Sequence, residues 1–280
     1  MATETAPLLA RGYVLSNRIL RAIKRRSPVF LHWALRLGVR SIWLGVLDRR
    51  RLHWLDERFW GGESLYFDRY RDDMYCDEDF NLSGLFAWEQ AAIDEFFGET
   101  HRILISSIGG GRETIALRRM GFEVDGFECN QKLLRFANGL LDRSGLDAET
   151  RWAPRDECPD FGRVYDGLII GWGAYDLIQG RERRIAFLRR LRDHAGEGTP
   201  VLLSFFTRSP DSRSFKVAAA IASPIRWILR RDPVEVGDVL EPIYFHFFTE
   251  DELRAELRAG GFDLRHFTTR GYGHAVGVAI

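Results

Sequence analysis

The stretch ILISSIGGGRET (residues 103–114), followed by MGFEVDGFECN (120–130), decides how the rest of the chain is read. An apolar, β-branched run delivers the chain to Gly109, Gly110 and Gly111, and a helical pattern starts at once. Glycine permits positive φ and carries no side chain, so backbone amides can come close to a ligand and point at it. Seventeen residues after Gly111, Glu128 ends the next strand, where a carboxylate can accept hydrogen bonds from both hydroxyls of a ribose. Together these residues describe a site for an adenosine-containing cofactor. A dinucleotide fingerprint would place a further glycine at Thr114, and none stands there.

Outward from this stretch the chain alternates strand and helix. Strands are expected at 102–106, 123–128, 150–153, 165–171 and 200–206, with helices at 113–120, 130–141 and 181–194. Such alternation, with strands rich in Val, Ile and Leu, predicts a mostly parallel sheet covered on both faces. The end differs. Thr249 and Glu252 form a capping box for a helix over 250–259, which stops at Gly260 and Gly261. Two strands follow, 262–268 and 274–279, joined only by Arg270-Gly-Tyr-Gly273. So short a link forces antiparallel pairing. The expected fold class is therefore α/β, a seven-stranded mostly parallel Rossmann-like sheet closed by an antiparallel hairpin, with a helical extension in front.

That front section is basic. Residues 1–54 hold eleven Arg or Lys against Glu4 and Asp48, a balance of plus nine, in a chain whose net charge is zero. The remainder is thus acidic by nine charges. Two helices are expected here: one carries Val14, Leu15, Ile19, Leu20 and Ile23, and the other runs from Ser27-Pro28 to about Leu47, ahead of a turn over Asp48 to Arg51. A loop dense in aromatics and acids (60–84) follows, with Asn81 and Ser83 as caps for the helix LFAWEQAAIDEFF. The segment 207–242, containing FKVAAAIASPIRWILRR, is expected as a helix broken at Pro224, inserted where open α/β sheets bind ligands. Domains are accordingly expected at 1–84, a helical lid with its aromatic loop, and at 85–280, the cofactor-binding domain with the 207–242 insertion over the active site.

Composition bounds the function. At 45% hydrophobic and 29% charged, the chain excludes a disordered tail, a collagen repeat and a coiled-coil rod. Three cysteines without a CxxC pair exclude a disulfide scaffold and a cysteine-rich zinc site, and no other metal-ligand spacing stands out. No secretory signal or run of about 18 apolar residues is present, so the expected location is the cytoplasm. A peripheral membrane contact through the basic section, residues 11–51, is the alternative. Charge neutrality gives no field that would gather nucleic acid.

On the glycine loop IGGGRET, the acid in GFECN, the strand YDGLIIGWGAY, the helix RERRIAFLRRLRDH, the strand PVLLSFF and the ending FTEDELRAELRAGGF…GYGHAVGVA, the chain resembles the class I S-adenosylmethionine-dependent methyltransferases over about residues 85–280. The resemblance implies S-adenosylmethionine as cofactor. It implies that Gly109, Gly110 and Gly111 meet the methionine part, that Glu128 holds the ribose, that Arg155 or Asp156 flanks adenine, and that Cys129 is among the cofactor-binding residues. Gly171, Trp172, Gly173 and Tyr175 would then face the methyl group. Two positions depart from the pattern. Ile105 stands for the usual acid of the first strand and Ser107 for the first glycine, so backbone carbonyls or Glu89 must hold the methionine amino group.

The catalytic candidates are Tyr175 and Asp176 after the fourth strand and His246 ahead of the final helix, with Tyr66, Tyr70 and Tyr75 in the aromatic loop. Arg181, Arg183 and Arg184 read as a solvated helix surface. The expected activity is methyl transfer to an oxygen or nitrogen of a small or lipid-like molecule by in-line displacement, with positioning as the main device. The alternative is a non-catalytic cofactor-binding partner or a membrane-recruited subunit.

Overall fold

The computed structural model describes residues 8–24, 28–60 and 74–280. In chain order the elements are helices α1 (Leu8–Lys24), α2 (Val29–Val46), α3 (Arg49–Trp60), α4 (Glu78–Leu82) and α5 (Ala87–Phe96), then β1 (Arg102–Ser106), α6 (Arg112–Arg119), β2 (Glu123–Glu128), α7 (Gln131–Arg143), β3 (Glu149–Trp152) and β4 (Gly167–Ile170). There follow α8 (Arg181–Arg192), β5 (Pro200–Ser204), α9 (Arg213–Ile228), β6 (Asp238–Leu240), β7 (Tyr244–His246), α10 (Glu250–Ala259), β8 (Phe262–Thr268) and β9 (His274–Ala279). They form two compact units: residues 1–72 with 208–247, and residues 73–207 with 248–280. The 208–247 segment thus belongs with the front helices.

The sheet unit holds seven strands in the order β3-β2-β1-β4-β5-β9-β8, with β1 to β5 parallel and β9 antiparallel to both of its neighbours. The seven expected strands and the closing hairpin are all present. Period-two alternation sorts the strand residues. Ile103, Ile105, Ile169, Leu202 and Val276 face the layer with α5, whereas Leu104, Leu168, Val201 and Leu203 face the layer of α8 and α10. The Thr249–Glu252 capping box forms as expected: Glu252 N donates to Thr249 Oγ1, and Thr249 N donates to Glu252 Oε2 at 2.8 Å.

Register sets where the site must lie. Ser106 pairs with both Phe127 and Ile170, and Glu128 pairs with Trp152. The carboxyl ends of β1, β2, β3 and β4 therefore open on one edge. The chain runs from β1 outward to β3 and then returns to place β4 on the other side of β1, and ligands of open α/β sheets bind at such a switch.

The helical unit corrects two expectations. The segment after Asp48 is no turn: Asp48 Oδ1 accepts from Arg51 N at 2.9 Å and starts the helix α3. Pro224 does not break α9, which runs through it to Ile228. In place of a break, the buried Arg226 donates to Leu44 O and Leu47 O at 3.0 and 3.1 Å, satisfying carbonyls at the end of α2. Asn81 is likewise no helix cap. It lies inside α4, which Asp77 caps, and its amide donates to Tyr75 O and Asp77 O. Ser27, Tyr66 and Tyr70 lie outside the described residues.

Candidate cofactor and methyl-transfer site

The glycine loop is held by its own backbone and by one carboxylate. Ile108 N donates to Phe127 O, and Gly111, at φ +100°, begins α6. Gly109 sits at φ +56° and donates its N–H to Glu128 Oε2 at 2.9 Å. The other oxygen, Oε1, accepts from Asn130 N at 2.8 Å. A carboxylate has about four lone-pair sites, so each oxygen of Glu128 keeps one for a further donor. Ser107, where the resemblance expects glycine, holds φ +55°, so the left-handed bend is kept without the residue that takes it most cheaply.

Close approach is also enforced. A Cβ at Gly110 would lie 2.0 Å from Tyr75 O, and one at Gly171 would lie 2.3 Å from Ser107 O. The loops after β1 and β4 thus meet backbone to backbone. The ring of Tyr75, one of the loop tyrosines, comes against Gly109.

Around it stand aromatic rings, and besides Trp172 they include three that the linear sequence did not single out as site residues. Trp172 meets Phe86 at 4.9 Å, Tyr272 at 5.6 Å and Tyr75 at 6.4 Å between ring centroids, and Tyr272 stacks on Trp88 at 5.8 Å. Phe86, Trp88 and Tyr272 were missed because they arrive from α5 and from the β8–β9 turn, far apart in the chain. Burial pushes the Tyr75 and Tyr272 hydroxyls above their ordinary range, with Glu113 adding to the effect at Tyr75 and Asp176 at Tyr272. Both are therefore neutral hydrogen-bond donors at physiological pH.

A buried guanidinium ties these pieces together. Arg112 donates to Glu89 through two bonds of 2.6 Å, to Glu113 Oε1 at 2.8 Å and to Gly84 O at 3.0 Å, and it lies 3.8 Å from the Phe86 ring. Glu113 Oε1 also accepts from Trp172 N at 3.4 Å. Glu89, the sequence candidate for the methionine amino group, is instead taken up by Arg112 and Phe86 N. Ile105 is fully buried in the layer of Ile93 and Phe97.

All three catalytic candidates are buried. Tyr175, expected at the lip beside the methyl group, is fully buried, stacked on Phe248 at 5.3 Å, and donates its hydroxyl to Glu256 Oε2 at 2.8 Å. Asp176 is also fully buried, and its two oxygens accept from Phe206 N at 3.1 and 3.0 Å. Burial raises its carboxyl well above the usual range. Arg184, read as solvated, is 1% exposed and grips Glu256 at 2.6 and 2.9 Å. The turn after β4 coils as a 3-10 helix over Tyr175–Leu177 and drives both Tyr175 and Asp176 inward. His246 belongs to the β6–β7 ribbon of the helical unit, where its Nδ1 lies 2.8 Å from Asp238 Oδ1. Tyr244 donates to the same carboxylate at 2.6 Å. Burial alone would raise the Asp238 carboxyl, yet His246 and Tyr244 hold it below the usual range. Glu235, Asp238 and His246 form the one cluster of possible metal ligands among the described residues, and Asp238 already accepts from Tyr244 and Glu235 N besides its contact with His246.

The cofactor candidates fall differently. Gly109, Gly110, Gly111, Glu128, Gly171, Trp172 and Gly173 gather on the single edge defined by β1, β2 and β4. Cys129 joins them through its carbonyl, which accepts from Trp152 Nε1 at 2.9 Å, and this half-exposed ring at the end of β3 is a further residue the sequence did not flag. Arg155 and Asp156 lie in the turn after β3, Asp156 at φ +64°, just beyond Ala153 N, which donates to Glu128 O.

A seven-stranded sheet in this order, with the glycine loop after its first strand and an acid ending the second, is the Rossmann-like fold of the S-adenosylmethionine-dependent methyltransferases. A methyltransferase of Methanosarcina mazei shares 18% identity over 70% of this chain and 99% of its own, with a TM-score of 0.56. The sugar N-methyltransferase KedS8 of a Streptoalloteichus species shares 15% over 69% of this chain and 85% of its own, with a TM-score of 0.51. CalS10 of Micromonospora echinaspora, an amino pentose methyltransferase of calicheamicin biosynthesis with S-adenosylmethionine bound, shares 14% over 70% and 92%, with a TM-score of 0.50. At these identities the likeness is one of fold. No protein-family model matches the chain, and no curated sequence matches it.

Proposed function

We propose that the sheet unit binds S-adenosylmethionine and transfers its methyl group to an oxygen or nitrogen of a small or lipid-like molecule. The observation that carries this is the Glu128 carboxylate, fixed at the end of β2 by Gly109 N and Asn130 N with acceptor capacity to spare beside a loop that excludes side chains. Glu128 would hold the ribose hydroxyls, the backbone of Gly109, Gly110 and Gly111 the methionine part, and Arg155 or Asp156 with Trp152 the adenine side. The cofactor supplies a methyl group on a positively charged sulfur that leaves as a neutral thioether.

What this chain contributes is alignment and exclusion of water. Trp172, Tyr272 and Phe86 offer aromatic faces, which attract a cation within about 6 Å of the ring centre. The protonated Tyr75 and Tyr272 hydroxyls donate hydrogen bonds to an acceptor and do not take its proton. Since Tyr175 and Asp176 are committed inside the core, an amine that arrives unprotonated suits this site better than an alcohol that must lose a proton. The amino sugars and sugars named for two of the compared proteins support a small, polar acceptor.

Isothermal titration with S-adenosylmethionine and its demethylated product tests the binding. Absence of heat for both would end the proposal. The competing view, a cofactor-binding partner without catalysis, is favoured by Ile105 in the place of the usual acid, and it predicts binding without methyl transfer to any amine or hydroxyl acceptor tried.

A further inference from the structure

The tip of the α1–α2 hairpin in the helical unit carries apolar surface that the fold does not cover. The early part of α1 packs on the late part of α2: Arg40 Nε donates to Asn17 Oδ1, and Gly12 lies against the Trp43 ring. The two helices are therefore antiparallel, and the end of α1 and the start of α2 share one tip. There α2 exposes Val29 (88%), Phe30 (78%) and Trp33 (51%), with Leu31 and Leu35 also open to solvent, and Phe30 stacks on Trp33. On α1 the exposed Ile19 and Ile23 point the same apolar character toward that end.

Two features say what covers it. The exposed apolar positions of residues 29–35 spread over about 240° of the helix circumference at ~100° per residue, whereas a groove on a partner protein needs one stripe. The charge on the two helices is basic. Helices α1 and α2 hold Arg11, Arg18, Arg21, Lys24, Arg36 and Arg40 and no acid; the first four are exposed, while Arg36 and Arg40 pair with Glu241. An apolar tip collared by cations is complementary to an anionic lipid surface. Residues 29–35 span ~10 Å at 1.5 Å per residue, the depth to which interfacial helices enter the headgroup and acyl boundary. No helix among the described residues is long and apolar enough to cross a membrane.

We infer that the α1–α2 tip inserts reversibly into an anionic bilayer surface, with Phe30 and Trp33 entering the acyl boundary and Arg18, Arg21 and Lys24 contacting lipid phosphates. This docking is independent of the methyltransferase reading, because it uses no residue of the cofactor site.

Flotation of the full chain with phosphatidylcholine vesicles, alone or containing about a third phosphatidylglycerol, tests it. Expected is binding to the anionic vesicles at least about tenfold tighter than to neutral ones, weakened by high salt. Phe30→Ser with Trp33→Ser, and separately Arg18→Glu with Arg21→Glu, should each lower that binding by about tenfold or more. Far-UV circular dichroism and the thermal midpoint confirm that the variants fold. No binding by the wild-type chain, or binding that both variants retain, overturns the inference. So does self-association of the wild-type chain that the Phe30→Ser, Trp33→Ser variant loses without any vesicle binding, for then the tip joins two copies.

Discussion

The strand edge of the sheet unit and the hairpin tip of the helical unit are built on opposite rules. At the edge, charge goes inside: Arg112 and Arg184 are 2% and 1% exposed, each clamped by carboxylates, and the glycine loop is fixed by Glu128. At the tip, apolar residues go outside while the cations stay in water. A buried charge needs its partners fixed within a hydrogen-bond length, so it specifies a rigid constellation. An exposed apolar end specifies only a medium in which it is better off. The first suits a site that must align reacting atoms, and the second suits a reversible contact with a surface.

The contrast is broken most directly at Arg184. Arg184→Ala leaves Glu256 as an unpaired buried charge, and urea unfolding should show a loss of about 3–5 kcal/mol. Arg36→Ala, which removes an exposed partner of Glu241 beside the tip, should cost under about 1 kcal/mol. Equal losses would erase the distinction. Burial in the sheet unit also governs thiol chemistry. The Cys158 thiol is pushed up to about 12 by its surroundings, so its alkylation in the native chain at pH 8 should run about a thousandfold slower than in urea. Within the site, Glu128→Ala should weaken binding of the demethylated cofactor by about 1–3 kcal/mol in calorimetry, and an unchanged affinity would detach the ribose from this residue. Smallest of all, Phe30→Ser alone should leave the unfolding free energy within about 0.5 kcal/mol, because that side chain is 78% exposed in the folded chain.

How much was legible divides along the same line. The glycine loop, Glu128, the parallel strands and the closing hairpin rest on local signals: backbone freedom, period-two runs, a capping box and a short connection. These elements were therefore readable, and the residues proposed for the cofactor gather at one edge. The direction of Tyr175 and Asp176 was not. Tyr175 turns inward because Glu256, far along the chain, accepts its hydroxyl, and Asp176 because Phe206 N needs an acceptor. Arg184 looked solvated for the same reason, since a string of arginines on one helix does not reveal which of them meets a carboxylate on another. Asp48 misled in the other direction, as a capping side chain resembles a turn residue when the helix behind it is rich in arginine.

By itself the sequence determined the order of elements, the hinge of side-chain-free residues after β1 and the acid that answers it, because each depends on neighbours within a few positions. Only the tertiary structure decided which polar side chains are consumed in holding the core and which rings crowd the site. Those choices turn on partners tens of residues away, and the cost of leaving a buried charge or hydroxyl unpaired exceeds any local preference for where it should point.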